Sequence, residues 1–262
     1  MTAVNNIGVM ICGHGGSEAG TVREFMALAG DVALRLPQYR VASGFLELAT
    51  PTIEEGLEKL RQAGCATILA IPGTLFSGGH AMQDIPVILR KFAARNRDIK
   101  ISYGSAFDVH PDFVNAARAR IEAAIEDAGK LIAPEKTALL IAGRGAADAR
   151  VLASMQGIAG HIQSEMKFSR VETAYAGIAH PPVPEALSRI AEQAYERVII
   201  APYFLFTGKL VQRIYAETDA IAALYPHVDF LKTGYLNNHP CVIDGFVAQI
   251  MGTSMTGTLL DG

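Results

Sequence analysis

A spacing of 130 residues recurs through this chain and constrains its architecture more than any other feature. Gly13-His14-Gly15 follows the apolar run Ile7 to Cys12, and 130 residues further on Gly143-Arg144-Gly145 follows the run Ala138 to Ala142. Pro51 and Pro181 each open a helical pattern, Pro72 and Pro202 each end an apolar run, and Gly78 and Gly208 keep the same offset. His110-Pro111 and His239-Pro240 match at 129. One spacing held at landmarks this far apart points to gene duplication, so the fold is to be read as two copies of one unit.

Within a copy, strand and helix patterns alternate. Ile7 to Cys12 reads as a short buried strand, and Val22, Phe25, Met26, Ala29, Val32, Ala33 and Leu36 then recur at helical spacing. Val41 to Leu46 is a second strand. The helix after it starts at Thr50-Pro51, or at Thr52 with Glu55 at a capping-box spacing, and Gly64 stops it. Thr67 to Ile71 and Ile99 to Tyr103 complete four strands, with helices over Ile85 to Phe92 and Phe113 to Ile125. Alternating βα units imply a parallel sheet covered by helices on both faces. The expectation is an α/β chain of two duplicated lobes, residues 1–128 and 136–262, each a four-stranded parallel sheet, with a cleft between them.

Composition narrows the function classes. Half of the 262 residues are hydrophobic, enough for proper cores, and a formal charge of -3 argues against a nucleic-acid partner. No run reaches the roughly 18 apolar residues of a membrane span, and Met1 to Asn6 lacks the pattern of a signal peptide. Cys12, Cys65 and Cys241 form neither a disulfide framework nor a C-x-x-C site. A cytoplasmic location is expected.

Ligands of open α/β sheets bind beyond the carboxyl ends of the strands, and the chemically interesting residues fall there. His14 follows the first strand among Gly13, Gly15 and Gly16, which let the backbone turn tightly. Glu47 follows the second strand, and His80 follows the third within Phe76-Ser77-Gly78-Gly79-His80. Two neutral imidazoles and a carboxylate suit a borderline divalent ion such as cobalt, iron, nickel or zinc. At the 130 offset the second copy has Arg144 for His14, Gly177 for Glu47 and Leu210 for His80, with Lys209 beside it. It keeps the scaffold and lacks all three ligands.

His110-Pro111 and His239-Pro240 fit a turn before a helix. His161, His180 and His227 fall in a presumed helix and loops and read as exposed or structural, while Met26 and Met155 read as core.

Together, Gly13-His14-Gly15, Phe45-Leu46-Glu47-Leu48-Ala49 with Pro51, and Ser77-Gly78-Gly79-His80 followed by Asp84-Ile85-Pro86 resemble the signature of the CbiX-type sirohydrochlorin chelatases. The long, tandem-repeat form of that family is similar to this chain over nearly its whole length. The resemblance implies a class II chelatase fold, metal binding by His14 and His80, and a nearby carboxylate in Glu47. It also implies ATP-independent insertion of a divalent ion, most often Co2+ with Fe2+ or Ni2+ also fitting, into sirohydrochlorin or a related tetrapyrrole in cobalamin biosynthesis. Siroheme synthesis with iron is the alternative. The chain departs from the family in Gly-Gly-Ser after His14 and in Met82-Gln83, and it lacks the His-rich tract and iron–sulfur cysteines of some long members.

Under this reading the metal is a substrate, no tightly bound cofactor is expected, and the protein acts as a monomer or homodimer. Both imidazoles must be neutral to ligate. Glu47 or a released histidine takes the pyrrole protons. Arg144, Lys209 and Arg213, from the opposite lobe, are expected to clamp substrate carboxylates. A metal or tetrapyrrole carrier is the rival reading. A hydrolase or nucleotide enzyme fits poorly, because no G-x-S-x-G elbow, G-x-G-x-x-G or P-loop can be written through these glycines.

Overall fold

The computed structural model describes residues 6–78, 81–256 and 258–260. The first copy runs β1 (Ile7–Gly13), α1 (Ala19–Arg35), β2 (Arg40–Phe45), α2 (Ile53–Gln62), β3 (Thr67–Pro72), α3 (Ala81–Arg95), β4 (Lys100–Tyr103) and α4 (Pro111–Asp127). After a 3-10 turn at Pro134–Lys136, the second runs β5 (Thr137–Gly143), α5 (Ala149–Met166), β6 (Arg170–Tyr175), α6 (Val183–Ala191), β7 (Arg197–Pro202), α7 (Lys209–Ala222), β8 (Asp229–Lys232) and α8 (Pro240–Thr256). A short strand, β9 (Thr258–Leu260), follows.

Both copies form parallel α/β sheets, ordered β2-β1-β3-β4 and β6-β5-β7-β8. The first gains a fifth member, because β9 pairs antiparallel with β4. Strand side chains alternate between faces. Met10 and Cys12 join a cluster with Leu57, Ile85 and Leu89 of α2 and α3, while Val9 and Ile11, on the other face, are equally buried. That is the signature of a strand covered on both sides, and it explains why the run is apolar throughout.

Local sequence accounts for the helix boundaries. Of the two starts considered for α2, the cap is Thr52. Its hydroxyl accepts from Glu55 N at 3.2 Å, and Thr52 N donates to the Glu55 carboxylate at 2.6 Å. Both orphan donors of the first turn are satisfied reciprocally. On α1 the buried stripe is Phe25, Leu28, Ala29 and Val32, with Leu36 just beyond. Met26, expected in the core, is 38% exposed. At about 100° per residue it sits a quarter turn from Phe25, whereas Leu28 falls inside the stripe. Met155 is buried as expected.

The compact units do not coincide with the repeats. One comprises residues 1–108 with 242–262, and the other residues 109–241. Helix α4, written with the first copy, packs on α5, β7 and β8, and its Arg118 pairs with Glu165 at 2.6 Å. Helix α8 packs in the first unit, where Phe246 meets Phe107 at a ring separation of 4.6 Å and Asp244 pairs with Arg35 at 2.6 Å. Each copy's last helix therefore belongs to the other unit, which corrects the expected lobes 1–128 and 136–262. The sequence pattern is silent on this because two homologous sheets offer equivalent apolar sites to the same helix. Among the described residues no helix is long and apolar enough to cross a membrane.

Candidate functional site

Register brings the ends of the first unit's strands level. Gly13 lies beside Phe45 and Cys12 beside Pro72, so the loops after β1, β2 and β3 leave one edge of the sheet together. The order β2-β1-β3 places strands on both sides of β1, and at such a reversal adjacent loops diverge to leave a crevice.

Backbone pairing continues past the strand ends. Leu46 N donates to Gly13 O at 2.9 Å, and Glu47 N to His14 O at 3.1 Å. This zips the first two loops together and brings the side chains of His14 and Glu47 side by side. His14 Nδ1 lies 3.7 Å from Glu47 Oε1, with the side chains 35% and 54% exposed. That is too long for a hydrogen bond. Two donors each about 2.1 Å from one tetrahedral ion stand roughly 3.4 Å apart, so the pair matches the bite of a shared cation. Gly15 makes the close approach feasible. Its φ is +98°, and a Cβ there would lie 1.8 Å from Glu47 O.

His80, the third expected ligand, lies outside the described residues, as does Gly79. Among the described residues no group of three or more His, Cys, Asp or Glu side chains is gathered for a metal. Cys12, next but one to His14 in sequence, does not join the pair. It is fully buried, and burial pushes its thiol well above the ordinary range, so it stays protonated and inert.

Sequence reasoning missed Asp108. Its carboxylate accepts from Ser77 N at 3.1 Å and from the Ser77 hydroxyl, tying the loop after β4 to the loop after β3. The available signal was a polar residue shortly before the His-Pro of each copy, with Asn237 at the matching place in the second. Asp108 and Asn237 share a left-handed backbone, with φ of 47° and 49°.

The other histidines fall where expected. His110 caps α4 by accepting from Asp112 N at 3.3 Å, and His239 accepts from Cys241 N at 3.3 Å at the start of α8. His161, His180 and His227 are exposed.

In the second unit Arg144 follows β5 as His14 follows β1, and it is exposed. At the place of Glu47, a Cβ on Gly177 would meet Arg144 O at 2.4 Å. The carboxylate position is therefore closed to any larger residue as the loops stand. Lys209 opens α7 and is exposed. Arg213 is already engaged, its Nε donating to Glu217 at 2.7 Å and its Nη1 to Ala176 O at 3.4 Å.

The CbiX family model matches this chain twice, over residues 8–124 and 138–252. A sirohydrochlorin ferrochelatase of Priestia megaterium is 32% identical over 195 residues, covering 74% of this chain and 71% of that protein. A sirohydrochlorin cobaltochelatase of the same organism is 26% identical over 237 residues, covering 88% and 75%. Among solved structures, SirB from Bacillus subtilis with Fe3+ superimposes with a TM-score of 0.85 at 27% identity, covering 95% of this chain and 96% of that one.

Proposed function

Because the chain belongs to the CbiX family, we propose that it is a chelatase that inserts a divalent metal ion, Co2+ in the first instance, into sirohydrochlorin without ATP. The observation that carries this reading is the His14–Glu47 pair, held 3.7 Å apart at the carboxyl edge of the first sheet. The names of its relatives supply the macrocycle.

Insertion replaces two pyrrole protons with one divalent ion, so the protein has two tasks. The ion must shed water, and the protons need an acceptor. His14 and His80 hold the ion and displace part of its hydration shell. Glu47 is exposed enough to meet both the ion and the ring, and it accepts the pyrrole protons as the ion moves. The macrocycle also carries carboxylates of its own. Arg144 is the foremost candidate to bind one of them, with Lys209 next. Arg213 contributes less, because Glu217 already occupies its guanidinium.

Iron is the second reading, supported by a ferrochelatase among the relatives beside the cobaltochelatase, at 32% identity over 195 residues and 26% over 237. The donor set accepts either ion. Initial rates with Co2+ and with Fe2+ under anaerobic conditions, at matched free-ion concentrations, decide between them. In the same assay Glu47→Gln should weaken metal binding and, at saturating metal, still lower kcat by about a hundredfold or more. Weakened metal binding with a parent-like kcat at saturating metal would leave Glu47 a ligand alone and remove it as the base.

A further inference from the structure

Leu48 follows Glu47 directly and is 70% exposed. Its backbone is left-handed, with φ of 60°. A bulky residue is sterically disfavoured there, whereas glycine is not. A side chain so exposed offsets little of that cost by packing, so folding alone gives no reason for a leucine at this place. The peptide that joins Glu47 to Leu48 lies against Gly15, whose added Cβ would sit 1.8 Å from Glu47 O and 3.0 Å from Glu47 C. An exposed apolar side chain is thereby set one residue from the His14–Glu47 pair.

The second unit repeats the feature without the pair. Ile178, 130 residues on, is 76% exposed. Its neighbours also press against the loop after the first strand of their sheet. A Cβ on Gly177 would meet Arg144 O at 2.4 Å, and one on Gly145 would meet the Ala179 Cβ at 2.8 Å. Elsewhere exposure does not follow the repeat. Met26, Leu34 and Val87 are exposed, and Gln156, Ser164 and Glu217 stand at their places in the second copy. Among the described residues, Leu48 and Ile178 are the one pair of exposed large apolar side chains that the spacing superposes. The copies differ at the proposed ligand positions, with Arg144 for His14 and Gly177 for Glu47, yet agree on an exposed aliphatic residue beside them.

We propose that Leu48 is a substrate-contact residue: its side chain packs on the face of the macrocycle that is brought to the His14–Glu47 pair. The inference rests on the reading of the protein as a sirohydrochlorin chelatase. The four nitrogens of a tetrapyrrole are reached from above or below the ring, so the metal pair must meet a face and not the carboxylate-bearing rim. A residue adjoining the pair then meets ring carbon. An aliphatic side chain gains there from burial and dispersion, and it offers no atom that competes for the ion. Covering most of a leucine side chain with ring carbon is enough to change affinity by about tenfold.

The test is sirohydrochlorin affinity of the full-length protein, read from the visible spectrum without metal, for Leu48→Ser, Leu48→Met, Leu48→Gly and Leu34→Ser. Co2+ affinity by titration calorimetry, the urea midpoint and the sedimentation coefficient are measured beside it. Leu48→Ser should weaken sirohydrochlorin binding about tenfold and leave Co2+ affinity within a few fold. Leu48→Met keeps an apolar side chain and should stay near the parent. Leu48→Gly should bind sirohydrochlorin as weakly as Leu48→Ser while raising the urea midpoint, because glycine relieves the left-handed backbone. Leu34→Ser, at an 80% exposed leucine of α1, should change neither affinity. Parent-like sirohydrochlorin binding by Leu48→Ser and Leu48→Gly, in a protein that binds and metallates the macrocycle, overturns the contact and leaves the chelatase reading standing. Weaker binding with a lower urea midpoint in Leu48→Gly would show that the side chain holds the loop and not the ring, and a loss of the same size in Leu34→Ser would make the effect unspecific. Altered sedimentation with parent-like sirohydrochlorin affinity in Leu48→Ser would set the residue against a second copy of the chain instead. A parent protein that does not bind sirohydrochlorin removes the chelatase reading and the contact with it.

Discussion

Two glycines in the first loop make opposite predictions, although both follow His14. Gly15 has φ +98°, and its added Cβ would sit 1.8 Å from Glu47 O, whereas a Cβ on Gly16 meets nothing within 4 Å. Gly15→Ala should destabilise the protein by on the order of 2 kcal/mol in urea unfolding and displace Glu47, while Gly16→Ala should be close to neutral. Equal effects would contradict the zipped loops. A second residue-scale prediction concerns the two capping imidazoles. His110 is lowered from its ordinary 6.5 by burial, against an upward pull from Asp112, and His239 by burial and the Arg120 charge. Each cap accepts a backbone N–H and so needs a neutral ring. The unfolded chain therefore binds protons that the folded chain resists. The stability these groups contribute is fully present above pH 6.5 and is lost as pH falls toward their depressed folded values. Replacing both by Asn, a strong N-cap residue, should flatten the change in urea midpoint between pH 7 and 5. An unaltered pH profile would exclude them as its source. The placement of His14 and Glu47 at one sheet edge was legible in the sequence because glycine neighbours and strand-end position agreed. Asp108 was not, since its partner Ser77 lies 31 residues away and no local pattern links them.

At the scale of elements, periodicity and capping chemistry located every strand and helix of the first copy. The wheel on α1 slipped at Met26, and β9 was missed because three residues carry too little alternation to register. What the sequence could not assign was ownership of the last helix in each copy. Phe246 and Phe113 are both fully buried, in α8 and α4. Truncating Phe246 to Ala should cost about 3–5 kcal/mol and speed hydrogen exchange in β1 to β4, although the residue belongs to the second repeat. Phe113→Ala should instead weaken β5 to β8. Loss of protection confined to each residue's own repeat would contradict the exchange.

The molecule as a whole is a duplicated chain whose two copies differ at the proposed ligand positions. Arg144 and Gly177 stand where His14 and Glu47 do, and the tight approach of Gly177 to Arg144 O closes the position against a carboxylate. Under the proposed function, the metal site therefore belongs to the first unit. The central claim is tested most directly by following the visible spectrum of sirohydrochlorin with Co2+ or Fe2+ in the presence of the protein and of a His14→Ala/His80→Ala double variant. Insertion well above the enzyme-free rate by the protein, falling to that rate in the variant, is the predicted result. Insertion by the variant as fast as by the parent, or binding of the macrocycle with no acceleration by either, would contradict it.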